Sequence, residues 1–104
     1  MNKRISMLEN LVSTGKADSF ALYALAMEYR GEGRLMDALG TFEKLRAKDA
    51  DYLPMYLMAG QLLQAEGRNS EARGWLEAGV TLATRKGDTK AKSELLALLD
   101  AASD

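Results

Sequence analysis

Residues 32–40 read EGRLMDALG, and residues 66–74 read EGRNSEARG. Glu, Gly, Arg, Ala and Gly return at the same places thirty-four residues later. The repetition extends outward in both directions. When residues 19–52 are laid over 53–86 without a gap, Leu22 falls on Tyr56, Leu25 on Ala59, Ala26 on Gly60 and Tyr29 on Leu63. Farther along, Ala38 falls on Ala72, Phe42 on Leu76 and Glu43 on Glu77. A fixed period in this range marks an array, in which each unit buries its apolar face against a neighbour.

Each unit divides into two helices. In residues 19–31, Leu22, Leu25, Ala26 and Tyr29 recur at helical spacing. Gly31 and Gly33 are expected to end that helix, because glycine tolerates the left-handed conformation of many helix stops. A second helix is predicted over 35–48, with Leu35, Ala38, Leu39, Phe42 and Leu45 on its apolar side. In the second unit Asp51 is the expected N-cap, Pro54 sits in the first turn, Gly67 closes the helix, and Asn69 is the expected cap of a helix over 70–86. The small pairs Ala26/Gly60 and Ala38/Ala72 predict that two helices cross closely there, with Phe42 and Leu76 filling the space beside the crossing.

The same positions carry a family resemblance. The tetratricopeptide repeat has about 34 residues, folds as helix–turn–helix, and shows a W-x2-L-G-x2-Y…A-x3-F…P pattern. The first copy here reads Leu22, Leu25, Ala26, Tyr29, Ala38, Phe42, and the second Tyr56, Ala59, Gly60, Leu63, Ala72, Leu76. Residues 19–52 and 53–86 therefore resemble two consecutive tetratricopeptide repeats. At the place near the end of each unit where the family prefers Pro, this chain has Ala50 and Thr84. The resemblance implies an all-α fold, a right-handed α-solenoid of antiparallel helix pairs, here with about six helices in one domain spanning 1–104.

The flanks complete the array. Ile5, Leu8 and Leu11 fall where Leu39, Phe42 and Leu45 stand one period later, so residues 3–14 read as the second helix of a truncated repeat. Arg4 stands where the family has a small residue, so no close partner helix is expected on its outer side. Gly15 is an expected stop, and Asp18 and Ser19 compete for the following cap. Gly87 and Asp88 are read as a stop and a cap before a closing helix over 88–102, striped by Ala91, Leu95, Leu98, Leu99 and Ala102. Strict continuation of the period would turn Lys90, Ser93, Glu94 and Ala97 inward, so a shift or rotation of this helix is expected.

Composition narrows the function classes. Apolar residues make up 47% and charged residues 28%, with net charge −1 and pI near 5.5. That balance supplies no field for nucleic acid or an anionic membrane. With no Cys and no His, a disulfide framework and a zinc site of the usual kind are excluded. The opening MNKRISMLENLVSTG lacks the unbroken apolar run of about 7–15 residues of a signal peptide, so a cytoplasmic location is expected. No enzyme, metal or cofactor is expected either. Glu28 and Glu32 read as a solvated helix end. Asp49 and Asp51 read as a turn and cap, without the rest of a calcium loop. Arg85, Lys86, Lys90 and Lys92 read as cations favoured near a helix C-terminus, or else as a patch for an acidic partner.

In the family the first helix of each pair lines a concave groove, and the resemblance implies a partner-binding face there. On helical spacing its residues are Phe20, Tyr23, Met27 and Arg30 in the first unit, and Pro54, Leu57, Gln61 and Gln64 in the second, with Met58 and Ala24 beside them. A helix apolar on two faces has two neighbours, or one neighbour and a ligand. The expected function is a protein-binding module or small adaptor holding an amphipathic helix or extended apolar segment. The alternatives are a homodimer that buries this face, or a groove filled by the chain's own closing helix.

Overall fold

The computed structural model describes residues 2–102, so both ends of the predicted 1–104 domain lie outside the described residues. Six helices follow one another: α1 Lys3–Ser13, α2 Ser19–Gly31, α3 Leu35–Lys48, α4 Leu53–Ala65, α5 Asn69–Lys86 and α6 Thr89–Ala101. No strand occurs among the described residues. The fold is all-α, of the helical-repeat solenoid class. The chain divides into two compact units after Tyr52, at the boundary between the two sequence repeats.

The first unit holds α1, α2 and α3. The Asn2 side chain caps α1, accepting from the N–H groups of Arg4 and Ile5 at 2.9 and 3.1 Å. The same amide donates to Glu28 at 3.1 Å, and Arg4 pairs with Glu28 at 3.3 Å. The start of α1 is thereby tied to the end of α2, so the two helices run in opposite directions. Glu28, expected to be solvated, is instead the anchor of this contact, while Glu32 flanks the end of α2. Asp18, not Ser19, caps α2, accepting from Ala21 N–H at 2.8 Å. The Ser19 hydroxyl donates to Asp49 at 2.9 Å, which ties the start of α2 to the end of α3. Asp49 also accepts from Asp51 N–H at 3.2 Å, so the D-x-D pair is a turn. Ala26, Ala38, Phe42 and Leu45 are wholly buried between these helices.

The repeated phrase has a physical meaning at nearly every position. Gly33 and Gly67 both adopt φ +75°. At each, the glycine N–H bonds back to Arg30 or Gln64, and the next N–H, of Arg34 or Arg68, bonds to Tyr29 or Leu63. This left-handed glycine motif satisfies carbonyls that the helix end leaves open. Gly31 is still helical, so Gly33 alone makes the stop. The next helix then begins two residues on, and the flanking position falls on Arg34 or Arg68, without a side-chain cap bond. Each arginine instead pairs with the acid three residues later: Arg34 with Asp37 at 2.9 Å, and Arg68 with Glu71 at 2.7 Å. Asp37 and Glu71 also sit in the first turn, where the helix dipole favours negative charge. Asn69 is therefore not a cap; it is the first residue inside α5. Asp51 likewise falls in the turn, since α4 begins at Leu53.

The second unit holds α4, α5 and α6. A Cβ at Gly60 would lie 2.7 Å from Leu76 Cγ, and one at Gly79 would lie 2.8 Å from Tyr56 Cβ and 2.9 Å from Leu95 Cδ2. As α4 advances from Tyr56 to Gly60, its contacts on α5 retreat from Gly79 to Leu76, so the two helices are antiparallel. The close crossing predicted at Gly60 is present, with Leu76 fully buried beside it. Gly87, φ +71°, ends α5, and Asp88 caps α6 by accepting from Ala91 N–H at 3.0 Å. Leu95 and Ala102 of the expected stripe are buried, Ala91, Leu98 and Leu99 are half-buried, and Lys90, Ser93, Glu94 and Ala97 face solvent. The closing helix is rotated out of the repeat, as its polar residues require. Arg85 and Lys86 end α5, but Lys90 and Lys92 lie in the opening turns of α6, where the dipole argument does not apply to them.

Candidate partner-binding face

In the first unit the predicted residues share one side of α2. Phe20 is 69% exposed, and Tyr23, Met27 and Arg30 are half-buried. Tyr23 is held from two directions, its ring 6.3 Å from that of Phe42 and 5.3 Å from that of Tyr52. Burial raises the Tyr23 phenol above its ordinary pKa, the neighbouring Tyr52 adds to the rise, and Arg30 opposes it. Arg30 therefore lies near enough to Tyr23 for its charge to be felt. Tyr52 is raised too, by burial and then by Asp18 and Asp49. The result is an aromatic platform, fixed from beneath by Phe42, with a free aromatic side chain at one end and a cation at the other.

Tyr52 was not legible as part of this face. It stands in the turn before α4, outside any helical period, and only an aromatic residue placed before a Pro-containing first turn marks it. In the second unit, Leu57, Met58, Gln61 and Gln64 of α4 are half-buried. Gln64 has a defined task there: its side-chain amide donates to the Leu98 carbonyl at 2.8 Å. Arg73 on α5 does the same for the Ala102 carbonyl at 2.8 Å. Gln64 thus contacts the closing helix, which covers that end of α4.

Two further observations bear on chemistry. Tyr29 donates its hydroxyl to Glu9 on α1, while the Arg34 guanidinium lies 4.5 Å above its ring, a cation–π geometry. Burial, and then the bond to Glu9, push the Tyr29 phenol up to about 12. Among the described residues no group of three or more acidic side chains is placed to hold a metal ion. Among the described residues no helix is long and apolar enough to cross a membrane.

Among solved structures, a tetratricopeptide repeat domain protein from Salinibacter ruber matches in solution with TM-score 0.77 and 33% identity, over 82% of this chain and 86% of that one. Its crystal structure matches with TM-score 0.76 at the same identity, over 82% and 96% of the two chains. The chain belongs to the tetratricopeptide repeat family. A protein from Bordetella parapertussis has TM-score 0.82 and 23% identity, covering 99% of this chain and 90% of that one. SycD, a type III secretion translocator chaperone of Yersinia enterocolitica, has TM-score 0.76 and 17% identity, covering 96% and 81%. At those identities the likeness is one of fold. No family model and no curated protein matches the sequence. Phe20, Tyr23, Met27 and Arg30 lie on α2, the first helix of the first repeat.

Proposed function

We propose that this tetratricopeptide protein is a small adaptor that binds a segment of another protein on the α2 face carrying Phe20, Tyr23, Met27 and Arg30. Leu57, Met58 and Gln61 of α4 are proposed to contribute to binding as well. Gln64 is committed to Leu98 and supports the closing helix. The observation that carries the reading is Phe20. A phenylalanine left 69% exposed one turn from the packed Tyr23 presents a large apolar anchor on a rigid base, the composition that binding surfaces favour. The surrounding Met27 and Tyr23 suit an amphipathic helix or an extended apolar segment. That a fold neighbour, SycD, is a translocator chaperone fits a helical repeat used to hold another protein. The cytoplasm is the proposed place of action.

The test is capture from the native lysate by wild-type chain and by a Phe20→Ser, Met27→Lys variant, both checked for helicity. Phe20 is exposed, so its replacement leaves the fold intact. Partners held by wild type and lost by the variant are expected; identical captures would sink the assignment. Self-association is the competing use of the same face, favoured by the exposure of Phe20 alone. A wild-type monomer by light scattering at high concentration removes it, while a dimer broken by the double variant would establish it.

A further inference from the structure

A second recessed surface lies on the first unit, apart from the α2 face just described. A cleft of about 340 Å³ opens where α1, α2 and α3 meet, at the small end of the range of about 300–1,000 Å³ typical of ligand pockets. Leu22 and Leu25 of α2 form its apolar floor, and Val12 of α1 adds to it. Its charges are divided. Glu9 of α1 is on one side, with the Tyr29 hydroxyl bonded to its carboxylate. Lys44 of α3 is on the other.

Neither group has an ion-pair partner among the described residues, although the Arg34 and Glu9 charges lie close enough to be felt by one another. In this unit Arg4 pairs with Glu28 and Arg34 with Asp37. Arg34 also lies 4.5 Å from the centre of the Tyr29 ring. Glu9 and Lys44 line a common cleft and form no ion pair with each other. The Tyr29 bond holds the Glu9 carboxylate in one position, so that its second oxygen is available to an incoming donor.

We infer that this cleft is a second peptide-docking site, taking a short extended segment with an apolar centre, a cationic residue at the Glu9 end and an acidic residue at the Lys44 end. The apolar centre covers Leu22, Leu25 and Val12. The acidic residue would meet Lys44, and the cationic residue would meet the Glu9 carboxylate that Tyr29 already holds. An adaptor with such a site engages one protein through the α2 face and another through this cleft. The inference does not depend on the α2 face being used.

The experiment is an NMR titration of the full chain with three capped tetrapeptides: acetyl-Lys-Leu-Leu-Glu-amide, acetyl-Lys-Leu-Leu-Lys-amide and acetyl-Glu-Leu-Leu-Glu-amide. The mixed-charge peptide should shift the amides of Glu9, Val12, Leu25 and Lys44. It should bind about two- to five-fold more tightly than either like-charged peptide, the range for exposed ion pairs, and lose that preference in high salt. Lys44 is exposed and unpaired, so Lys44→Glu leaves the fold unchanged. That variant should now prefer the peptide with lysine at both ends. The inference is overturned if no amide around the cleft shifts, if the shifts cluster at Phe20 and Tyr23, or if Lys44→Glu leaves the order of preference as it was.

Discussion

The two units write the same hairpin with different fillings. Where the first has Ala26 and Phe42, both wholly buried, the second has Gly60 and Leu76, with no room for a Cβ between them. Removing a methyl from one helix lets the other approach, and a smaller side chain then fills the remaining space. Three residues beyond this position the exchange continues. Leu45 is wholly buried in the first unit, and its counterpart Gly79 is pressed by Tyr56 and by Leu95 of the closing helix. The closing helix thus supplies from outside the repeat the volume that Leu45 supplies from within. A repeat fixes the total volume at each layer, and its neighbours decide which chain segment provides it.

The largest test of this comparison is truncation at the crossing. Phe42→Ala should cost about 3–5 kcal/mol and Leu76→Ala about 2–5 kcal/mol, since both are fully buried. Chemical denaturation followed by circular dichroism reads the difference. If Phe42→Ala costs less than about 1 kcal/mol, the first core collapses around the gap and the layer argument fails. Next in size come the additions. Gly60→Ala and Gly79→Ala each place a methyl where neighbours already stand under 3 Å away, and each should cost about 1–3 kcal/mol. Ala38→Leu and Ala72→Leu, at wholly buried sites, belong to the same range. Thermal melts in which Gly79→Ala is neutral would mean that Leu95 yields readily, and that the closing helix is loosely held.

A third contrast is chemical. Tyr29 of the first unit is matched by Leu63 in the second, so only the first carries a phenol at this place. Burial and the bond to Glu9 raise the Tyr29 phenol to about 12, above its ordinary value of 10.0. Between those values the folded chain holds a proton that the unfolded chain has released. Stability therefore falls as pH rises through this window, and the contribution is intact below pH 10. Tyr23 and Tyr52 are raised as well, so Tyr29→Phe should flatten the alkaline loss in part. Near neutrality the same substitution should cost about 0.5–1.5 kcal/mol, the worth of one hydrogen bond. Denaturation curves of both chains from pH 8 to pH 12 decide it. A slope unchanged by the substitution would place the alkaline loss elsewhere.

What was legible in the sequence was whatever the period carries. Gly33 and Gly67, the small residues at 26, 60, 38 and 72, and the stripe of α6 all occupy their expected places. What failed was local inference at the joints. Asn69 resembles a cap by residue type, but Gly67 fixes the turn one position earlier and leaves that place to Arg68. Glu28 looked solvated because its partners, Asn2 and Arg4, lie twenty-four or more residues away and on no period. Thr41 is a polar residue outside the apolar stripe of α3. It is 5% exposed because its hydroxyl donates to the Asp37 carbonyl at 2.8 Å, within its own helix. Gly79 did leave a signal, since it stands under Leu45 as the one large-to-glycine exchange in the layer, and a missing side chain implies that another segment fills the site.

The phrase that reveals the repeat also contains its smallest predicted effect. Gly40 and Gly74 recur as faithfully as Gly33 and Gly67, yet their surroundings differ. Gly33 and Gly67 sit at positive φ, which only glycine adopts at no cost. Gly40 and Gly74 lie inside α3 and α5, and a Cβ at either would meet nothing within 4 Å. In a helix interior glycine costs about 0.5–1 kcal/mol relative to alanine. Gly40→Ala and Gly74→Ala should therefore each raise stability by about that amount, while Gly33→Ala and Gly67→Ala lower it. A stabilised Gly40→Ala chain that loses a captured partner would show that the glycine keeps space for a molecule outside the chain. A destabilised one would mean that the space beside Gly40 is smaller than its open surroundings indicate.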